Sequence, residues 1–120
     1  MIHLPKTFDL KYLDKVYLWA VCLSMAIQSF SDKVTQIFFV TGILKKGVGW
    51  GSISRIAKRK LDILHYAAEL EDLKASPGNR LELLKGNLKG YHSIRINDQW
   101  RVVFKWTESG PYNVQITDYH

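Results

Sequence analysis

The chain has 120 residues, 47% hydrophobic and 23% charged, which suits one compact domain burying roughly two-thirds of its unfolded surface and argues against a second. A formal net charge of +6 favours a polyanionic partner such as nucleic acid, an anionic membrane or an acidic protein, without choosing among them. The single cysteine, Cys22, excludes an internal disulfide and no Cys/His set has metal-ligand spacing, so a reducing cytoplasm fits and neither metal nor cofactor is expected.

Residues 16 to 27, VYLWAVCLSMAI, form an apolar run behind Lys6, Lys11 and Lys15. It is too short to span a membrane but long enough for a signal-peptide core. Three readings stand: a cleaved signal, an extra helix packed on the domain, or upstream sequence translated ahead of a native start at Met25. The domain is accordingly read as residues 25–120, with 1–24 as an extension of open status.

AIQSF (26–30) alternates briefly and predicts a first strand. Ser31 and Asp32 then offer cap oxygens to a helix carrying Val34, Ile37, Phe38 and Val40. Gly42, Gly47, Gly49 and Gly51 break the pattern. Ser52 is placed to cap a second helix, in which Ile53, Ile56, Ala57, Leu61, Ile63, Leu64, Ala67, Ala68 and Leu70 recur at helical spacing. Arg55, Lys58, Arg59 and Asp62 form its wet face. SPGN (76–79) supplies a turn out of the helical half.

Strands follow. Ser93 to Asn97 places Ile94 and Ile96 on one face and Arg95 and Asn97 on the other, and NDQ turns the chain. Trp100, Val102, Phe104 and Trp106 then alternate with Arg101, Val103 and Lys105. ESGP (108–111) turns it again, and a last strand points Val114 and Ile116 inward before ending in Asp118, Tyr119 and His120. The fold class is α+β, two N-terminal helices packed on one side of a small antiparallel sheet.

The row Arg95, Asn97, Arg101 and Lys105 predicts a water-facing cationic face. A half-exposed sheet needs such a face anyway, and its cations discourage edge aggregation. Arginine, however, offers a planar fork of donors suited to phosphate oxygens, and Asp118 and His120 sit one residue apart at the neighbouring strand end. RNA is cut without metal when a base takes the ribose 2′-hydroxyl proton, the oxygen attacks the adjacent phosphate, and an acid protonates the leaving 5′-oxygen. A histidine, with an unperturbed pKa of about 6.5, can fill either proton-transfer role near neutrality. Arg101 and Lys85 are placed to hold the growing phosphate charge, and Asp118 to orient the His120 imidazole. Alternation points Tyr119 away from His120, toward stacking on a base or filling the core. His65 reads as a helix-face residue, and His3 and His92 have no partners at ligand spacing. Trp100 and Trp106 belong to the inward row.

LEDL (70–73), PGNRLELLKG (77–86), GYHSIRINDQWRVVFKW (90–106) and the final DYH together resemble the HigB-type toxins of the RelE/ParE superfamily, the plasmid-maintenance killer proteins. The likeness covers about Met25 to His120, with the motifs in family order, and implies a RelE/ParE-like microbial ribonuclease-type fold. It implies a ribosome-dependent mRNA endoribonuclease that enters the decoding site of the 70S ribosome and stops translation. The implied partner is a HigA-type antitoxin with a helix-turn-helix fold, through which alone operator DNA would be met. By motif position, Lys85 of LKG and Arg101 of QWR correspond to phosphate contacts, and Asp118, Tyr119 and His120 to a carboxy-terminal active-site cluster. Arg95, Asn97 and Lys89 are RNA-contact candidates. Glu82 departs from the pattern, since some members carry a histidine there. As a carboxylate facing the site it would be the base, leaving the acid to His120; it reads equally as a surface residue.

Two other functions stay open at this point. A ParE-like gyrase inhibitor shares the scaffold without needing an acid/base cluster, and a non-catalytic relative would bind only antitoxin and DNA.

Overall fold

The structure, a computed structural model, describes residues 27–118. The extension 1–24, Ala26 of the predicted first strand, and both Tyr119 and His120 lie outside the described residues.

Residues 28–31 run beside the last strand in the parallel sense. The Gln28 N–H donates to the Pro111 carbonyl at 2.8 Å, the Ser31 N–H to that of Val114 at 2.9 Å, and the Val114 N–H to that of Ser29 at 3.0 Å. The first helix, α1 (Lys33–Thr41), is capped by Asp32, whose carboxylate accepts from the Thr35 N–H at 2.9 Å. It stops at Gly42, whose φ of 81° suits a residue without a Cβ. Only Thr35 and Phe38 of α1 are buried. Ile37 and Val40, expected in its apolar set, are 45% and 68% exposed.

Helix α2 (Ser54–Tyr66) buries Ala57, Leu61 and Leu64 as the spacing predicted. Both of its ends correct the sequence reading. Ser52 lies inside a preceding 3-10 turn (Gly51–Ile53), and no side chain caps α2. The helix stops before Ala68 and Leu70, because Ala67 is extended and the Asp72 carboxylate accepts from the Ala68 and Glu69 N–H groups, both at 2.9 Å. Together with the Glu69 side chain this forms a capping box that opens a 3-10 turn, Leu70–Lys74.

Four antiparallel strands form the sheet in chain order: β1 (Glu82–Leu83), β2 (His92–Arg95), β3 (Arg101–Thr107) and β4 (Gly110–Thr117). The short β1 is additional to the predicted strands. Strand β2 ends at Arg95 rather than Asn97, since the Asn97 carboxamide oxygen accepts from the Gln99 and Trp100 N–H groups at 2.9 and 2.7 Å and closes the turn.

The core lies between the helices and one sheet face. Phe38, Trp50, Leu61, Leu64, Val102 and Phe104 anchor it, with Phe38 and Trp50 meeting edge-on at 5.1 Å between ring centres. Each fully buried side chain of this size contributes about 1.5–3 kcal/mol. Trp100 and Trp106 pack against the cluster, in keeping with their inward row. Gly49 is needed where the chain passes Trp100, because a Cβ there would sit 2.9 Å from the indole. Among the described residues no helix is long and apolar enough to cross a membrane.

Candidate active site

Alternation along β3 turns Arg101, Val103 and Lys105 away from the helices. The expectation that this row faces water holds only for Lys105. Val103 is fully buried and Arg101 is 8% exposed, the guanidinium being met by the Arg80 carbonyl from the chain before β1.

Arg101 is held from two sides. Its Nε donates to the Ser93 hydroxyl at 2.6 Å, and its Nη2 to the Arg80 carbonyl at 2.6 Å and the Ser93 carbonyl at 3.4 Å. Glu82 brings Oε1 to 3.7 Å from Nη2, so the carboxylate faces the guanidinium. Among the described residues nothing accepts from Nη1. A planar cation thus stands fixed at the sheet end, with one amino group that no described residue takes up, an arrangement suited to an incoming phosphate.

The carbonyl that Arg101 uses is positioned by a buried chain of contacts. Arg80 adopts the left-handed conformation at φ 43°, a strained choice for a side chain of its size. Behind it Asn79, 1% exposed, donates from Nδ2 to the Leu73 carbonyl at 3.0 Å and accepts from the Lys60 ammonium at 2.7 Å. Lys60 is itself buried, and its ammonium is pushed below the usual lysine range first by burial, then by the positive charges of Arg59 and Arg95. Sequence reasoning missed both residues: Lys60 sits in a run of cations on α2, and Asn79 looks like ordinary turn chemistry.

The other predicted residues fall in three groups. Asp118 follows β4 next to the start of β3, where Arg101 pairs with Thr117, and its carboxylate accepts from Gln99 Nε2 at 2.9 Å. Glu82, Arg101 and Asp118 therefore gather at one end of the sheet. Lys85 and Lys89 flank the Gly86–Leu88 turn between β1 and β2, both exposed. Arg95 lies opposite Arg101 across the strand pair, partly exposed and ion-paired with Asp98, while Asn97 spends its oxygen on the turn. Tyr119 and His120 continue the chain from Asp118 and lie outside the described residues.

Neither described histidine joins this cluster. His65 accepts from the Ile27 N–H at Nδ1 (3.2 Å), and burial lowers its pKa despite the opposing charge of Asp62. His92 stacks on Phe104 with ring centres 6.0 Å apart and is likewise lowered by burial. Among the described residues no group of three or more His, Cys, Asp or Glu side chains is placed to hold a metal ion.

Comparison with known proteins bears on this geometry. The family model for the RelE-like toxin of type II toxin-antitoxin system HigB matches residues 28–120. Toxin HigB-1 of Vibrio cholerae is 46% identical over 92 residues, spanning 77% of this chain and 95% of the relative. Endoribonuclease HigB of Proteus vulgaris is 32% identical over 94 residues, 78% of this chain and 99% of the relative. A helix pair on a four-stranded antiparallel sheet, the motifs from LEDL to DYH, and these matches lead to one conclusion: the chain belongs to the HigB-like family of RelE-like toxins from type II toxin-antitoxin systems.

Proposed function

We propose that this protein is a ribosome-dependent, metal-independent endoribonuclease that cuts messenger RNA in the decoding site of the 70S ribosome, and that a HigA-type antitoxin with a helix-turn-helix fold neutralises it. Operator DNA is met only through that antitoxin, and the site of action is the cytoplasm. The observation that carries this reading is Arg101, nearly buried, oriented by Ser93 and Arg80 and faced by the Glu82 carboxylate, at the sheet end that Asp118 follows. A cation fixed at such cost in desolvation is suited to charge that develops during a reaction, because no reorganisation is then needed. The Proteus vulgaris relative is named an endoribonuclease, which supports the reaction class.

In the proposed chemistry Glu82 takes the proton from the ribose 2′-hydroxyl. The freed 2′-oxygen attacks the adjacent phosphorus while the bond from phosphorus to the 5′-oxygen breaks. His120 gives its proton to that leaving oxygen, so the products are a 2′,3′-cyclic phosphate and a 5′-hydroxyl. Arg101 and Lys85 hold the phosphate oxygens as their charge grows; Asp118 orients the imidazole. Tyr119 offers a ring to a neighbouring base, and Arg95, Asn97 and Lys89 line the approach of the strand.

Primer extension on a defined messenger, with and without 70S ribosomes, tests the reading. Cuts confined to the ribosome-bound messenger support it, and ends bearing a 2′,3′-cyclic phosphate and a 5′-hydroxyl support attack by the 2′-oxygen. Intact messenger together with gyrase-dependent DNA breaks would replace it with the gyrase-inhibitor reading.

A further inference from the structure

We infer that the β3–β4 hairpin carries a second nucleotide subsite, in which Tyr112 stacks a base of single-stranded RNA and Lys105 holds the adjoining phosphate. The inference rests on the reading of this chain as a ribonuclease and adds to it a place for the strand beyond the cut.

An open depression of about 530 Å³ lies on this hairpin, lined in part by Lys105, Glu108, Tyr112 and Asn113. It shares a face with the active site, since Arg101 and Lys105 stand four residues apart on β3, roughly 13 Å along the strand. The pairing explains how the tyrosine comes to be there. Val103 lies opposite Gln115 but Lys105 lies opposite Tyr112, so β4 holds one extra residue between the two pairs. That bulge centres on Asn113, left-handed at φ 53°. A bulge re-aims side chains, and here it sets Tyr112 directly across from Lys105.

The bulge is locked rather than loose. Asn113 Nδ2 donates to the Tyr91 hydroxyl at 3.0 Å, and the Asn113 N–H donates to the Ser29 hydroxyl at 2.8 Å. Left-handed backbone at a non-glycine residue costs free energy and persists where surrounding contacts impose it. What the strain achieves is a half-buried aromatic ring beside an exposed lysine that makes no ion pair among the described residues. Ring and cation side by side are what single-stranded nucleic acid requires, a face for the base and a charge for the backbone. Glu108 would repel a phosphate within the depression, which assigns that space to the base and makes the carboxylate an acceptor for an exocyclic amino group.

The test uses the full chain and a messenger on 70S ribosomes, with a 2′-deoxynucleotide at the cut to block cleavage and 4-thiouridine at each flanking position in turn. Irradiation should cross-link one flanking position to Tyr112, located by peptide fragmentation. In cleavage assays on unblocked messenger, Tyr112→Leu should raise KM by about 5- to 140-fold, the range that loss of one stacked base gives. Tyr112→Phe should recover most of that loss, and Lys105→Gln should raise KM and flatten its salt dependence. Wild-type cleavage with KM unchanged in Tyr112→Leu and Lys105→Gln, or cross-links that avoid the hairpin, would overturn the subsite alone. A wild type that cuts no messenger would overturn the ribonuclease reading and the subsite with it.

Discussion

Removing the Ser93 hydroxyl tests how Arg101 is held. Ser93 is fully buried and accepts the Arg101 Nε–H at 2.6 Å, so Ser93→Ala leaves a charged donor facing a methyl group at a site water does not reach. A hydrogen bond to a charged group is worth about 1.5–3 kcal/mol, and leaving its buried donor unmade exacts the desolvation cost in full. For a domain of this size each kcal/mol lowers Tm by roughly 4–8 °C, so the variant should melt on the order of 10 °C lower. Urea titration followed by tryptophan fluorescence measures the loss directly, with an unchanged slope against denaturant. Repeating Ser93→Ala in an Arg101→Met background isolates the pair, because the donor is then gone. The account predicts that most of the cost disappears there. An equal cost in both backgrounds would show that Ser93 acts through other contacts and that Arg101 is not anchored by it.

Three further outcomes follow from the packing. Asn79→Ala removes the buried bonds to Leu73 and Lys60 and should cost about 2–4 kcal/mol in denaturant titration, with slower messenger cleavage than Leu61→Ala gives at equal stability, since only the former loosens the Arg80 carbonyl. Gly49→Ala drives a methyl to 2.9 Å from the Trp100 ring and should destabilise by about 1–3 kcal/mol with a shift in tryptophan emission; a wild-type midpoint would refute the close approach. His65 and His92 both have pKa values lowered by burial, so near pH 6 the unfolded chain binds more protons than the folded one. Their contribution is complete above the unfolded value of about 6.5 and is lost as pH falls through the lower folded values. Stability should therefore drop from pH 7 to 5, and His65→Gln should flatten that slope; an identical slope in the variant would count against the Ile27 contact as its source.

The sequence carried the fold class because its apolar periods were clean. Ala57, Leu61 and Leu64 on α2 and Val102 and Phe104 on β3 are buried as their spacing required. What it obscured were places where one signal masked another. Apolar residues at 67, 68 and 70 continued the helical period and hid the capping box of Glu69 and Asp72 that ends it, although that box is itself written in the sequence. Ile37 and Val40 kept helical spacing on a helix that buries only part of its surface. Of the candidate site, the sequence offered residue types near strand ends: Glu82 comes to 3.7 Å from the Arg101 guanidinium, and Asp118 follows the residue that pairs with Arg101. The environment of Arg101 was not legible. Two-residue alternation gives the face of a side chain but not what folds over it, and the covering carbonyl of Arg80 comes from a turn set by Asn79 and Lys60, a contact between positions 19 residues apart.

The central claim, that Arg101 is a phosphate-holding group preset by its burial, is tested most directly by single-turnover cleavage of ribosome-bound messenger with Arg101→Lys. Lysine keeps the positive charge, but its single nitrogen lacks the planar fork that reaches the Ser93 hydroxyl and the Arg80 carbonyl from separate nitrogens and leaves a third for phosphate. The account predicts a fall in the cleavage rate of roughly a hundredfold to a thousandfold, with messenger still bound. Cleavage by a folded Arg101→Lys protein at close to the wild-type rate would contradict it and leave Arg101 as a structural cation.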